Sequence, residues 1–343
     1  MTNRQTNEFP SVSELGEQGI LDAMLPLLAT RQATLGPGDD AGALKVEGGE
    51  VIVSVDTLVE NQDFRLSWPS GFKHRAYDVG WKSIAQNVSD INAMGGVPTG
   101  AVVSLSLPGD LSVEWVKDFA AGVAAAVESL GASEMAIVGG DLGRSTEISI
   151  TTTVLGECRY GKVLRSGART GDLIAVAGRL GSAGAGLAVL ESSKQWQSWN
   201  RSVRRLVDAQ CRPEPPLASG PRAAEAGATS MMDISDGLLR DAERLAKSSK
   251  VNFNFNSRDL EAFKARLEPA SLWLKQDSLS WVLEGGEDFG LLATFPAAAE
   301  IPEEFAVIGE VQHQPGRRSL TKIDGEVVNG SHGFDHFKTR RTI

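Results

Sequence analysis

The chain has 343 residues, 41% of them hydrophobic, with 34 Lys+Arg against 44 Asp+Glu and a formal net charge of -10. That length accommodates two ordinary domains with real cores. The acidic balance, with no block of Lys or Arg, argues against a nucleic-acid partner, since phosphate backbones are bound through basic patches. No run approaches the ~20 apolar residues of a membrane span. The two cysteines, Cys158 and Cys211, make neither a disulfide framework nor a zinc site.

Residues 1–12 lack an apolar signal-peptide core and read as a short disordered leader, which makes the cytoplasm the default location. Ile20, Met24, Leu27 and Leu28 predict a helix over 13–30, and a Gly/Pro-rich loop follows at 35–38. Residues 51–56 alternate as a strand, with Val51, Val53 and Val55 on one face and Ser54 and Asp56 on the other. Asp56 stands at the carboxyl end of that strand, where α/β proteins tend to place ligands. Residues 73–94 predict a helix whose core stripe is Tyr77, Trp81, Ile84, Val88 and Ile91. A polar stripe of Ser83, Asn87 and Asp90 runs beside it, as either a site-bearing edge or a solvated one.

A strand at 101–107 precedes a helix capped by Ser112 and stopped by Gly131. Strands at 135–138 and 148–155 complete an N-terminal α/β domain, 13–157, and 156–165 reads as the interdomain connection. The C-terminal α/β domain, 158–343, opens with a strand at 172–177 and a glycine-rich run at 178–186 that enters a helix. Pro213, Pro215 and Pro216 break the chain. A helix from about 221, a strand at 230–233, a helix from near Asp236 and strands at 289–295 and 306–311 follow.

Acidic residues recur in short motifs, most of them flanked by glycine. They are Gly38-Asp39-Asp40, Ser54-Val55-Asp56-Thr57, Asn87-Val88-Ser89-Asp90, Gly139-Gly140-Asp141, Asp233-Ile234-Ser235-Asp236-Gly237 and Gly285-Gly286-Glu287-Asp288. Taken singly, each has a plainer reading as a turn, a bulge or a helix cap. Brought together, so many carboxylates cannot all stay ionised without cations. Mg2+ carrying a nucleotide phosphate is the commonest use of such a hard oxygen site. The glycine run at 178–186 is not a phosphate loop, because no Gly-x-x-x-x-Gly-Lys-Ser/Thr occurs, and it reads as close helix packing through small residues. The four histidines lack metal-ligand spacing, and neither a Gly-x-Ser-x-Gly elbow nor a protein-kinase motif set is present. The residues therefore predict a metal-dependent, nucleotide-using enzyme.

In their order and spacing, the segments LGPGDDAG, VSVDTLVE, KSIAQNVSDINAMGG, IVGGDLGRS, VLRSGARTGD, MDISDGL, GGEDFGLL and HGFDHF resemble the thiamine-monophosphate kinase family, over roughly residues 13–337. The resemblance implies a two-domain aminoimidazole-ribonucleotide synthetase-like fold, with mixed sheets covered by helices and a dimerising N-terminal domain. It implies ATP-dependent phosphorylation of thiamine monophosphate, several Mg2+ ions and a homodimer. Carried over residue by residue, Asp40, Asp56, Asp90, Asp141 and Asp233 are metal ligands, with Ser54 and Val55 assisting and Asp236 holding a further metal near the transferring group. Gly140, Asp141, Arg165 and Ser235 face the nucleotide. Arg165 and Asp236 act in the transfer, and Asp63, Glu287 and Phe334 hold the thiamine end. Two positions depart from the family pattern: Val55 stands where threonine is frequent, and Asp63-Phe64 where a His-Phe pair is usual. Within the superfamily, selenophosphate synthetase needs an early reactive cysteine, and no cysteine precedes Cys158. A catalytically silent metal-and-nucleotide binder is the reading from another class.

Overall fold

The computed structural model describes residues 33–35, 39–46, 49–316 and 318–328, with Gly19 and Gly333. The helix expected over 13–30 (Gly19 apart), the turn at 36–38 and Phe334 lie outside the described residues.

The first half builds a six-stranded sheet from β1 (Ala33–Leu35), β2 (Gly42–Val46), β3 (Gly49–Val59), β4 (Val97–Leu107), β5 (Ala136–Arg144) and β6 (Ser149–Glu157). Its order is β1-β2-β3-β6-β4-β5, antiparallel except for the β4–β5 pair. The β-branched run of β3 suits a pleated, half-buried surface. Its alternation puts Ile52, Ser54 and Leu58 inward and turns Val55 outward, 57% exposed.

Helix α1 (Ala76–Ala93) lies against the inner face, and α2 (Val113–Ser129) packs on α1. The two approach closely because glycines face each other's backbones. A Cβ at Gly80 would stand 2.1 Å from the Phe119 carbonyl oxygen, and one at Gly122 1.9 Å from that of Tyr77. Ser112 caps α2 as expected, accepting from Glu114 N–H at 3.2 Å. The core stripe of α1 is fully buried at Ile84, Val88 and Ile91, each side chain stabilising the fold by about 1.5–3 kcal/mol. The polar stripe is not a solvated edge. Ser83 and Asn87 are buried too: Asn87 faces the first sheet, its Oδ1 accepting from Asp56 N–H at 3.0 Å, and the second half of the chain packs against the other side of α1. Trp81 Nε1 donates to the Pro213 carbonyl at 2.8 Å, and Asn92 Oδ1 accepts from Gly220 N–H at 2.8 Å.

The second half forms a seven-stranded sheet from β7 (Leu173–Ala177), β8 (Ser230–Ile234), β9 (Asn252–Phe255), β10 (Gly290–Phe295), β11 (Phe305–Gln312), β12 (Thr321–Ile323) and β13 (Glu326–Val327). The order is β13-β12-β9-β11-β7-β10-β8, with β12–β9 parallel and the other pairs antiparallel. Its helices are α3 (Ser182–Glu191), α4 (Arg201–Cys211), α5 (Ser219–Glu225), α6 (Leu238–Ser249), α7 (Ser257–Lys264), α8 (Glu268–Leu274) and α9 (Ser278–Glu284). The glycine run does serve packing: a Cβ at Gly186 in α3 would lie 2.1 Å from the Leu206 carbonyl oxygen of α4.

Strand β9 escapes the sequence pattern because it carries asparagines inside a buried sheet. Asn252 is satisfied there by its side chain, which accepts from Leu320 N–H at 2.8 Å and donates to the His313 carbonyl at 3.1 Å. Gly139-Gly140, expected beyond a strand ending at 138, lie inside β5 instead. A Cβ at Gly140 would meet the Val103 carbonyl oxygen at 1.9 Å, so glycine is what lets β5 close on β4. No helix among the described residues is long and apolar enough to cross a membrane.

Candidate active site

Three sequence-distant carboxylates converge where the two halves meet. Asp40 precedes β2, Asp90 lies in the last turns of α1 and Asp233 lies in β8, and an oxygen of each is within 4.8 Å of the others. Each carboxylate is oriented by a neighbour. Ser54 Oγ donates to Asp90 Oδ2 at 2.5 Å, and Ser89 Oγ donates to Asp233 Oδ2 at 2.9 Å. Arg165 forks onto Asp40, with Nε to Oδ2 at 3.1 Å and Nη2 to Oδ1 at 2.8 Å, while its main-chain N–H donates to Asp39 Oδ1 at 2.8 Å. Asp56 stands on the same inward face of β3 as Ser54, its N–H donated to Asn87 Oδ1 at 3.0 Å.

The charges conflict. Burial, then Asp56, Asp233 and Asp40, push the Asp90 carboxyl well above its ordinary range. Burial, then Asp40 and Asp241, do the same to Asp233. Burial works against the Arg165 charge, but Asp40, Asp233 and Asp39 outweigh it and hold the guanidinium protonated more firmly than usual. One guanidinium against Asp40, Asp56, Asp90 and Asp233 leaves an excess of negative charge, to be offset either by protonation or by further cations. The donors are all hard carboxylate or hydroxyl oxygens. That set fits a hard divalent cation such as Mg2+ and does not fit a soft metal.

The loop after β8 and the Gly-Gly-Glu-Asp loop before β10 are joined by main-chain bonds. Glu287 N–H donates to the Ser235 carbonyl at 2.8 Å, and Phe289 N–H to that of Ile234 at 3.1 Å. Glu287 and Phe289 take left-handed φ of 66° and 50°, a strain of about 1–3 kcal/mol each that non-glycine residues carry mainly at functional sites. The Glu287 carboxylate meets Lys82 Nζ at 2.5 Å and Gln210 Nε2 at 2.5 Å. Asp236 pairs with Arg244 at 2.7 Å and Arg240 at 3.4 Å. Asp241 Oδ2 accepts the N–H groups of Asp236 (2.9 Å) and Gly237 (3.1 Å), which fixes that loop. Gly333 packs here as well: a Cβ on it would stand 2.4 Å from the Asp236 carbonyl oxygen, so the chain reaches this loop one residue before Phe334.

Asp40, Ser54, Asp56, Asp90, Arg165 and Asp233 thus come together, and Ser235, Asp236 and Glu287 adjoin one another. Gly140 and Asp141 do not join them. They sit on the exposed edge strand β5, and Asp141 shares the outer face with Val102, Ser104, Thr151 and Thr153. In the sheet register Asp141 aligns with Ser104, Thr151 and Thr57, three strands from β3, or about 14 Å at ~4.8 Å per strand. Val55 also faces outward, so a threonine hydroxyl at this position would point away from the carboxylates and only its main chain could assist. Asp63 holds its own turn, with Oδ2 accepting from Val59 N–H at 2.8 Å.

Sequence reasoning missed Lys82, Ser89 and Gln210 as parts of the site. A signal existed for the first two. Lys82, Gln86, Ser89 and Asp90 recur at i, i+4, i+7 and i+8, a second polar row on a helix that shows no exposed face.

These two halves are those of AIR synthase related proteins: the N-terminal domain of that family matches residues 38–158 and its C-terminal domain residues 169–320. The thiamine-monophosphate kinase of Mycobacterium tuberculosis is 35% identical over 337 residues, covering 96% of this chain and 94% of that protein. The chain belongs to the thiamine-monophosphate kinase family. Among solved structures it is similar to AaThiL complexed with AMPPCP and TMP, with 31% identity, a TM-score of 0.82 and coverage of 96% of this chain and 100% of that one. It is also similar to thiamine monophosphate kinase from Aquifex aeolicus, with 31% identity, a TM-score of 0.78 and coverage of 94% and 100%.

Proposed function

We propose that this protein transfers the γ-phosphoryl group of ATP to thiamine monophosphate, giving ADP and thiamine diphosphate, the last step in making that cofactor. The observation that carries the reading is the Asp40–Asp90–Asp233 cluster beside Arg165, a site with too many carboxylates for its own cations. The family supports it, as does the similar structure complexed with AMPPCP and TMP.

Asp40, Asp56, Asp90 and Asp233, with Ser54 and the main chain of Val55, would hold Mg2+, and Asp236 a further ion. Bound there, Mg2+ neutralises and aligns the nucleotide phosphates. Arg165 spends two of its five N–H donors on Asp40, which leaves the rest for phosphate oxygens. Ser235 offers a hydroxyl to the same phosphates. Glu287, Asp63 and Phe334 hold the thiamine end.

Helix α1 sets the distance between the two ends. Asp90 is eight residues beyond Lys82, the partner of Glu287, which is about 12 Å along the axis. The acceptor needs no general base, because a phosphomonoester is largely dianionic above its second pKa of about 6. Transfer is then direct and in line, driven by positioning and charge neutralisation. In this reading the serine hydroxyls serve as donors, Ser54 to Asp90, Ser89 to Asp233 and Ser235 to phosphate, and not as nucleophiles.

The reading includes a homodimer in the cytoplasm. The outer face of the first sheet exposes Val55, at 57%, and Val102, at 38%, and the edge strand β5 adds Val138 and Leu142, which together make the apolar surface a second copy would cover. Asp141 lies on that outer face and Gly140 precedes it in the same edge strand, so their part in nucleotide binding belongs to the paired state.

The test is product analysis after mixing protein, ATP and Mg2+ with thiamine monophosphate or, in parallel, with free thiamine. Thiamine diphosphate and ADP in equal amounts from the monophosphate alone are expected. Nucleotide binding without product from either acceptor would favour a sensor over an enzyme.

A further inference from the structure

Lys82, on α1 where the two halves meet, is almost fully buried, its side chain 1% exposed. An ammonium taken that far from water is retained only where partners offset the lost hydration. It has two. Nζ meets Glu287 Oε1 at 2.5 Å and donates to the Asp63 main-chain carbonyl at 3.2 Å. Glu287 is 29% exposed and has its other oxygen, Oε2, held by Gln210 Nε2 at 2.5 Å. Gln210 belongs to α4 and is itself buried. The carboxylate is therefore fixed at both oxygens by groups from two different helices, on a backbone already held at φ 66°.

The same ammonium reaches both halves of the chain. Asp63 lies in the turn after β3, which is closed by Asp63 N–H to the Val59 carbonyl at 3.0 Å and by Asn61 N–H to that of Phe64 at 2.7 Å. Glu287 lies in the strained loop before β10. Lys82 ties the two loops together.

We propose that Lys82 is a positioning residue for the phosphoryl acceptor. Resting on the functional reading above, it clamps Glu287 and the Asp63 carbonyl into one rigid wall at the thiamine end of the site. The clamp has a chemical consequence. The Lys82–Glu287 pair carries no net charge, so Glu287 presents a fixed hydrogen-bond acceptor and not a free negative charge. It suits an N–H donor such as an exocyclic amine on a heteroaromatic ring better than a bare cation.

The test is a double-mutant cycle of Lys82→Met and Glu287→Gln, read as the calorimetric Kd for thiamine monophosphate, which needs no turnover. Km for ATP is measured alongside. Lys82→Met is expected to weaken thiamine monophosphate about 10-fold, with the ATP Km changed less than about 2-fold. In the Glu287→Gln background the same substitution should cost little further, because its effect runs through Glu287. A merely structural lysine would give additive losses and would move both substrates, and that result overturns the proposal. If Lys82→Met does not fold, Gln210→Leu removes the opposite restraint. Its cycle with Glu287→Gln reads the same coupling, and additivity there is equally fatal. No binding of thiamine monophosphate to the wild-type protein would overturn both readings. Binding without turnover would remove the kinase reading and leave the clamp standing.

Discussion

Replacing Asp90 by asparagine should stabilise the cation-free protein while it destroys activity. Asp90 has carboxylate oxygens of Asp40 and Asp233 within 4.8 Å. At an effective dielectric of about 20, each like-charge pair at that distance costs about 3.5 kcal/mol. Protonation of the shifted carboxyls and the Arg165 charge absorb part of this, so relief of about 1–3 kcal/mol is expected, or about 2–4 °C in Tm per kcal/mol for a domain of this size. Asparagine keeps an oxygen to accept from Ser54 Oγ, so the local bonding survives. The sign with pH follows from the raised carboxyls. Their folded-state protons are lost as pH rises, and wild-type stability without Mg2+ falls with pH above the ordinary carboxylate range more steeply than that of Asp90→Asn. Thermal melts in chelator and in Mg2+, with kcat measured in parallel, check all of this. A variant that melts lower than wild type in chelator, or keeps near-wild-type turnover, would remove Asp90 from the ligand set.

Arg165→Lys loses the fork onto Asp40 and the planar donors toward phosphate, so Km for ATP should rise about 10-fold or more; an unchanged Km would place the guanidinium outside the nucleotide site. Burial lifts Asp288 from 3.8 to about 7, so the folded protein binds a proton that the unfolded chain has lost between those values, and stability falls as pH rises through them. Asp288→Asn keeps the acceptor for Ala183 N–H and should gain stability over wild type at pH 8 relative to pH 5, by at most ~3 kcal/mol at 1.36 kcal/mol per pKa unit, read from urea midpoints. Gly122→Ala places a Cβ 1.9 Å from the Tyr77 carbonyl oxygen and should cost about 1–3 kcal/mol or more, whereas Gly139→Ala, with nothing within 4 Å, should change little in the same melts.

Much of this architecture is legible in the sequence because its long elements are strongly periodic. The stripe Ile84, Val88 and Ile91, the Ser112 cap and the alternation of 51–56 all reappear in α1, α2 and β3. Short elements such as β9 are not legible. Asn252 and Asn254 carry no apolar period, and β9 is set by its pairing with the distant strands β11 and β12. The acidic motifs point to a charged site, but not to which carboxylates meet. Asp40 and Asp90 meet within the first half, and Asp233 reaches them only by the packing of the second half on α1. Asp141 has the same local signature and lies on the opposite face of the sheet. Lys82 was hidden for the opposite reason. A lysine in a helix ordinarily reads as solvated surface, and only the closure of Glu287 and Asp63 over it makes it internal.

The direct in-line transfer from ATP to the acceptor phosphate, with no protein nucleophile, can be examined through stereochemistry. The protein would be given ATP made chiral at the γ-phosphorus as an isotopically labelled thiophosphate, and the configuration of the thiophosphoryl group in the thiamine product determined. Inversion is predicted, because the acceptor oxygen attacks opposite the leaving ADP in a single displacement. Retention would require two displacements through a phosphorylated side chain, and would contradict a site that works by positioning and charge neutralisation alone.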